Sequence, residues 1–219
     1  MADEGLIFGP PPFLCLFVGS KHSGKSQVIK YTCRAYAGVF SQIICFCPTA
    51  LTGFYDFLPK HAVHNDYDPE IMRALMERQE AYKRAGKTVH VLVIMDDILS
   101  SDTIDFERRK QNELSRVWSA NRHWNISCVT VTQSLRRVPR LLRDNVDFAC
   151  LFRVMREAYA GLYETFGHTD KATFYKFLDE NTQDYRVVLF KSNVHDKADH
   201  LKVFKLPASE LARKFTLIY

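Results

Sequence analysis

The chain has 219 residues, of which 47% are hydrophobic and 25% are charged, a composition that excludes a disordered or fibrous protein. Its longest apolar runs, at residues 13–18 and 91–95, are far shorter than the ~20 residues that a membrane-spanning helix needs, so we expect a soluble globular protein with no membrane-spanning segment. The net charge of +5 is compatible with a nucleic-acid partner but does not require one.

Six short apolar runs predict β-strands, at residues 13–18, 42–47, 89–95, 126–132, 146–152 and 185–191. Most of them are apolar at successive positions rather than at alternate ones. This pattern is typical of strands that are covered on both faces of a sheet.

Helical patterns alternate with these strands, at residues 25–36, from Asp68 up to Gly86, and at 106–122, 158–166 and 171–178. The alternation predicts an α/β fold, with a central, mostly parallel sheet flanked by helices on both faces. The last strand and residues 201–206 flank a polar turn, which predicts a C-terminal β-hairpin. We expect one domain over residues 1–219, with a motif-bearing core at about 13–153 and a C-terminal extension of the sheet at about 154–219.

Six cysteines are present, and five of them fall in the strand-like runs, where cysteine acts as a small hydrophobic residue. No Cys-x-x-Cys pair occurs. We therefore expect reduced thiols in an intracellular environment, in the cytosol or the nucleus.

One segment fits the phosphate-binding pattern G-x-x-x-x-G-K-[ST]. It consists of Gly19, Ser20, Lys21, His22, Ser23, Gly24, Lys25 and Ser26. Glycines let the backbone curl until its N–H groups point at a phosphate, and the following helix presents its positive end to the same anion. The lysine then reaches the β- and γ-phosphates of a nucleotide, and the final hydroxyl binds Mg²⁺. A strand before the segment and a helix after it are the context that this mechanism requires, so the sequence predicts a P-loop NTPase.

The third predicted strand leads directly into two carboxylates, Asp96 and Asp97. Phosphoryl transfer uses a carboxylate to hold Mg²⁺ beside the phosphate-binding loop, and hydrolysis also needs a group that activates water. Asp96 suits the metal role and Asp97 the role of catalytic base. A pair of aspartates after a strand can also be a simple turn or helix cap, but the upstream phosphate-binding motif favours the functional interpretation.

Gln133 follows the strand at residues 126–132, at the edge where ligands bind in open parallel sheets. A glutamine there can hydrogen-bond both the attacking water and the γ-phosphate, so we interpret it as a sensor of the nucleotide. This arrangement implies an additional strand between the P-loop strand and the Asp96 strand.

Several arginines are candidates for charge stabilisation or for DNA contact. Multi-subunit phosphate hydrolases often take an arginine from a neighbouring subunit, and Arg122 is the first candidate for this role. Arg140 and Arg143 are the next candidates. Together with Arg136 and Arg137 they lie within eight residues that contain no acid, and all four are also candidate DNA contacts. A solvated surface face remains an equally good interpretation of this cluster.

Four segments, GSKHSGKS, VLVIMDD, ANRHWNISCVTVTQS and VPRLLRDNVDFACLFR, occur in this order. The order resembles that of the genome-packaging ATPases of large double-stranded DNA viruses, of the poxvirus type, in the HerA–FtsK group of P-loop motor ATPases. The resemblance covers about residues 13–153.

The resemblance implies a homo-oligomeric ring, a pentamer or hexamer, that hydrolyses ATP to move double-stranded DNA into a preformed capsid. It implies ATP and Mg²⁺ as cofactors, a capsid or capsid-vertex protein as partner, and a site of virion assembly inside the host cell. It assigns the nucleotide to Lys25 and Ser26, the metal to Ser26 and Asp96, the catalytic base to Asp97 and the sensor to Gln133, with an arginine finger in trans. Many relatives have Glu where this chain has Asp97, so the assignment of the base is weaker than that of the metal ligand.

Two alternatives share the phosphate-binding loop. A small-molecule kinase, acting on a nucleoside or nucleotide, would use the segment at residues 136–143 as an arginine-bearing lid. Gln133 and the Asp96–Asp97 pair favour water over such an acceptor. A nucleotide-gated binding module or an inactive structural homologue is disfavoured because Lys25, Ser26 and both carboxylates are intact.

Overall fold

A computed structural model describes residues 6–49, 53–100, 112–194, 200–207, 209 and 214–217. Eight strands form one sheet in the order β3-β2-β4-β5-β1-β6-β7-β8. The first six strands in this order are parallel, β7 is antiparallel to β6, and β8 is antiparallel to β7. The strands are β1 (Leu14–Val18), β2 (Gln42–Phe46), β3 (Val63–His64), β4 (Val91–Asp96), β5 (Ile126–Thr132), β6 (Phe148–Leu151), β7 (Arg186–Lys191) and β8 (Leu201–Lys205).

Six α-helices whose bounds lie within the described residues accompany these strands. They are α1 (Lys25–Ala35), α2 (Pro69–Arg84), α3 (Glu113–Ala120), α4 (Arg140–Asn145), α5 (Tyr159–Phe166) and α6 (Lys171–Asn181). Local chemistry sets several helix starts: the Asp68 side chain accepts from the Glu70 amide before α2, and the Asp170 side chain accepts from the Thr173 amide before α6.

The hydrophobic core has two layers, one on each face of the sheet. Leu14, Leu16 and Val18 of β1 point into the layer formed with α2 to α6, whereas Cys15 and Phe17 point into the layer formed with α1. Alternate residues of one buried strand thus serve opposite layers, which explains why the strands are apolar at successive positions. The arrangement confirms the predicted α/β fold with helices on both faces.

The predicted elements are observed with small shifts of their ends. Strand β5 spans the predicted residues and lies between β1 and β4, as the motif order implied, and β7 and β8 form the C-terminal hairpin. The helix predicted at 106–122 is observed as α3, whose N-cap is Asn112, and residues 106–111 lie outside the described residues.

Two short elements were not predicted. Strand β3 has two residues at the edge of the sheet, and α4 has six residues and begins within the arginine-rich segment at residues 136–143. A 3-10 turn at Leu135–Arg137 precedes this helix.

All six cysteines are buried and carry free thiols, in agreement with the predicted reduced state. Among the described residues, no helix combines the length and the apolar character that crossing a bilayer requires.

Candidate nucleotide site

The predicted phosphate-binding loop connects β1 to α1 and is tied to both strands that flank β1. The Gly19 amide donates to the Thr132 carbonyl at the end of β5, and the Ser20 amide donates to the Arg153 carbonyl just beyond β6. A Cβ on Gly19 would lie 2.6 Å from Phe152 Cβ and 2.6 Å from Ser23 Oγ. Only glycine therefore allows the loop to leave the sheet at this point.

Helix α1 begins at Lys25 without any of the usual side-chain caps. Its N-cap residue is Gly24, in a left-handed conformation with φ 98°, and no side chain accepts from the first amides of the helix. The first turn also contains no acidic residue. The positive end of the helix thus presents its amides to an external anion, which is the arrangement that binds a nucleotide phosphate.

The Lys25 ammonium lies inside the loop. Its Nζ donates to the carbonyl oxygens of Gly19, at 2.8 Å, and Ser20, at 2.7 Å. Burial lowers the pKa of this ammonium, and the negative charges of Asp96 and Asp97 partly oppose the effect. The lysine and both carboxylates therefore share one site.

Asp96 is the last residue of β4, and its carboxylate is largely enclosed. Its Oδ2 accepts from the Tyr55 hydroxyl at 2.8 Å and from the Cys47 thiol at 3.8 Å. Burial raises the pKa of the Asp96 carboxyl, whereas the hydrogen bond from Tyr55 lowers it. Tyr55 thus stabilises the charged form of a carboxylate that its surroundings disfavour.

Asp97 and Gln133 meet where β4 and β5 end. Gln133 Nε2 donates to Asp97 Oδ2 at 2.9 Å, and the Asp97 amide donates to the Val131 carbonyl. Asp97 has a φ of 58°, which is uncommon for a residue other than glycine and directs its side chain out of the line of the strand. The predicted catalytic base and the predicted sensor are thus joined by a direct hydrogen bond.

The residues at this edge fit a nucleotide with Mg²⁺ chemically. Ser26 offers a hydroxyl at the start of α1 and Asp96 a carboxylate at the end of β4, and these hard oxygen donors are the type that Mg²⁺ prefers. The uncapped amides of α1 and the Lys25 ammonium supply the positive charge for phosphates.

The predicted arginines occupy two places. Arg136 and Arg137 lie in the exposed turn just beyond Gln133, at the nucleotide edge of the sheet. Arg140 begins α4 and pairs with Asp144, at 3.1 Å. Arg143 lies in the last turn of α4, which returns the chain toward the start of β6.

Arg122, in contrast, lies at the opposite edge of the sheet. It precedes β5, a strand of seven residues, and therefore lies roughly 20 Å from the loop of its own subunit. Its guanidinium pairs with Asp147 Oδ1 at 2.9 Å and is 70% exposed. Within its own subunit, Arg122 is not part of the nucleotide site.

Sequence reasoning missed two features of this edge. One is the hydrogen bond from Tyr55 to Asp96. Tyr55 lies in an irregular segment, and no sequence pattern there indicates a contact with Asp96. The other is Tyr185, which packs beside the loop: its Cδ1 lies 3.1 Å from the position of a Cβ on Gly24.

Comparisons with known proteins give the family and the fold of this chain. The family model described as "Poxvirus A32 protein" matches residues 9–200. Protein 088R of Invertebrate iridescent virus 3 is 27% identical over 203 residues, which cover 87% of this chain and 74% of that protein. Protein 075L of Invertebrate iridescent virus 6 is 22% identical over 204 residues, which cover 87% of this chain and 76% of that protein.

Solved structures share the fold. The genome packaging NTPase B204 of Sulfolobus turreted icosahedral virus 2, in complex with ATP-γ-S, superposes with a TM-score of 0.61 at 17% identity, covering 89% of this chain and 97% of B204. The pCW3 conjugation coupling protein TcpA, also with ATP-γ-S, gives a TM-score of 0.64 at 13% identity, covering 88% of this chain and 59% of TcpA. At these identities the likeness supports the fold class.

Proposed function

The chain belongs to the poxvirus A32 protein family, and from this premise we propose that it is a motor that hydrolyses ATP to move double-stranded viral DNA into a preformed capsid. Membership confirms the resemblance drawn from the motifs, and with it a P-loop ATPase of the viral genome-packaging type. Membership of this family favours the packaging ATPase over the small-molecule kinase alternative.

One observation carries the proposal of a motor. Gln133, hydrogen-bonded to Asp97 at the nucleotide edge, is followed within four residues by the exposed Arg136 and Arg137. A change in the Gln133 contact during hydrolysis therefore reaches an exposed basic turn through a short stretch of chain. Arginines there suit a DNA backbone, because phosphate contacts hold duplex DNA without reading its sequence.

In the proposed binding step, the triphosphate lies against the loop at residues 19–26 and the start of α1. The Lys25 ammonium, which now donates to two carbonyls, gains phosphate oxygens as acceptors. Charge-assisted hydrogen bonds of that kind are about twice as strong as neutral ones. Ser26 and Asp96 would hold Mg²⁺, which supplies charge neutralisation at the transferring phosphoryl group.

In the proposed hydrolytic step, Asp97 accepts the proton of the attacking water and Gln133 orients that water. The 2.9 Å hydrogen bond from Gln133 Nε2 fixes the position of Asp97 Oδ2, so the two side chains face the attacking water together. Aspartate is shorter than the glutamate of many relatives by one methylene group, and the positive φ of Asp97 sets the direction of this shorter side chain.

The remaining assignments concern the assembly. We propose a homo-oligomeric ring in which Arg122, with Arg140 and Arg143 as the next candidates, completes the site of a neighbouring subunit. Arg136, Arg137, Arg140 and Arg143 are the proposed DNA contacts, and a capsid or vertex protein is the docking partner. Such a motor acts where virions assemble inside the host cell.

Displacement of a third strand from duplex DNA tests the proposal. Purified protein with ATP and Mg²⁺ should release a triplex-forming oligonucleotide from a linear duplex, because a translocating motor removes obstacles from its track. Lys25→Ala should abolish release, and the double variant Arg136→Ala/Arg137→Ala should slow it. Arg84→Ala, which removes an exposed arginine of α2 that pairs with Glu80 in the same helix, is the matched control and should leave release unchanged. Hydrolysis of ATP without any release would contradict the motor.

A further inference from the structure

A cavity of about 190 Å³ opens beside the phosphate-binding loop, and none of the steps above uses it. Its walls are the loop residues His22 and Ser23, Arg153 beyond β6, and the turn at residues 182–185. Because β7 runs antiparallel to β6, the turn before β7 lies at the edge where the parallel strands end. The cavity therefore belongs to the nucleotide edge of the sheet.

Tyr185 dominates the outer wall of this cavity. It is 61% exposed, unusually for a large aromatic residue, and its ring packs against the loop at Gly24. Gly24 immediately precedes Lys25, so a nucleotide held by the loop would place its remaining part within reach of this ring.

The backbone of the turn is strained in a way that folding alone does not explain. Asp184 and Tyr185 have φ values of 51° and 59°, and the Arg186 amide closes the turn on the Gln183 carbonyl at 2.9 Å. Glycine or asparagine would adopt this conformation at lower cost than a bulky aromatic residue. Strain of this kind is retained mainly where a site needs it.

A buried polar atom lines the same cavity. Ser23 is only 6% exposed, and its Oγ has no hydrogen-bond partner among the described residues. Buried hydroxyl groups are normally paired, so this one is available to a polar group of a ligand.

We propose that this cavity is the nucleoside subsite of the loop, in which the Tyr185 ring stacks on the base of the bound nucleotide and the Ser23 hydroxyl pairs with a polar group of the nucleoside. The inference rests on the proposed function, because it takes the triphosphate to lie on the loop. Stacking tolerates every base, so the subsite favours nucleoside triphosphates over inorganic triphosphate rather than one base over another.

Calorimetric titration of the full chain tests this subsite with two probes, the ATP analogue AMPPCP and inorganic tripolyphosphate, each with Mg²⁺. Tyr185→Asn removes the ring but tolerates the left-handed backbone, whereas Tyr185→Phe keeps the ring. We expect Tyr185→Asn to weaken AMPPCP binding about 5- to 150-fold, the range measured for loss of one base-stacking ring, and to leave tripolyphosphate binding unchanged. Tyr185→Phe and the hairpin control Val203→Asn should bind both probes like the wild type.

Three results would overturn the subsite: unchanged AMPPCP affinity in Tyr185→Asn, equal weakening of both probes, or a Tyr185→Phe variant as weak as Tyr185→Asn. A measurement on the wild type needs no variant to fold. Bound 2-aminopurine riboside triphosphate should have its fluorescence quenched by stacking, and unquenched fluorescence would also overturn the proposal.

Lys25→Ala separates this inference from the proposed function. Loss of both probes in Lys25→Ala, with unchanged binding in Tyr185→Asn, would overturn the nucleoside subsite alone. Full binding of both probes by Lys25→Ala would overturn the nucleotide role of the loop itself.

Discussion

At the scale of single residues, the central feature of the site is a carboxyl group whose pKa is raised by burial. Asp96 ends a strand whose other residues are all buried, and the Tyr55 hydroxyl reaches it from a segment distant in sequence. Burying a carboxylate costs free energy unless its partners compensate. At Asp96, the position proposed for the metal, burial therefore disfavours the charged form and the hydrogen bond from Tyr55 favours it.

Asp96→Asn should stabilise the nucleotide-free protein, and more so at neutral pH than in acid. Burial raises the pKa of Asp96, so the folded state binds its proton more tightly than the unfolded state does. Folding stability of the wild type then falls as pH rises from about 4, the ordinary value of an aspartate, through the raised pKa, and the variant lacks this loss.

Thermal unfolding between pH 4 and pH 7.5, without nucleotide, measures the effect. At neutral pH the variant should have a higher Tm than the wild type, by about 2–4 °C for each kcal/mol gained in the free energy of unfolding. This difference in Tm should disappear toward pH 4. Asp56→Asn, at an exposed carboxyl, is the control for the loss of one acidic side chain. A gap that is independent of pH would contradict the argument.

At the scale of elements, the loop is held in place by close packing at Gly19. Gly19→Ala would bring a methyl group to 2.6 Å from both Phe152 Cβ and Ser23 Oγ, so either β6 or the loop must move. Such overpacking costs about 1–3 kcal/mol, and the variant should melt at a lower temperature and bind AMPPCP more weakly.

Gly161→Ala is the matched control for this prediction. Gly161 lies within α5, where an added Cβ meets nothing within 4 Å. The same substitution there should raise the free energy of unfolding by about 0.5–1 kcal/mol, because alanine is the better helix former. Equal effects at the two glycines would show that close packing at Gly19 is not what fixes the loop.

Sequence patterns predicted the elements that carry strong periodic or motif signals. The order of three motifs placed β5 between β1 and β4, because a glutamine sensor beside the loop requires its strand there. Strand β3 was missed because two residues carry no periodicity, and α4 because six residues are too few to show a helical period.

The parts of the site that were missed depend on tertiary contacts. Tyr55 reaches Asp96 from 41 residues away, and no local pattern marks such a hydrogen bond. The turn at Asp184 and Tyr185 lacks glycine and asparagine, the residue types that usually signal a left-handed backbone. These features could not be predicted from the sequence, because the residues either act through distant contacts or depart from the usual conformational preferences of their type.

At the scale of the whole molecule, Arg122 and the nucleotide loop lie at opposite edges of one sheet. Because Arg122 faces away from the nucleotide site of its own subunit, its proposed role in trans needs a head-to-tail contact, the type of contact from which closed rings are built. The Arg122 side chain is well exposed, so a neighbouring subunit can reach its guanidinium. Breaking its exposed ion pair with Asp147 would cost little folding stability.

Mixing two inactive variants tests whether Arg122 acts across a subunit boundary. Arg122→Ala should lower kcat by about 10³-fold or more, and Lys25→Ala should abolish hydrolysis in its own subunit. In a mixed ring, a Lys25→Ala subunit still offers its arginine to a neighbour with an intact loop. An equimolar mixture should therefore recover roughly a quarter of wild-type activity, because half of the loops are intact and half of their neighbours supply Arg122.

Lys25→Ala mixed with Asp97→Asn is the matched control: both changes disable a subunit's own site, so no activity should return. A mixture of Arg122→Ala and Lys25→Ala that stays as inactive as its components would show that Arg122 is not the residue supplied in trans.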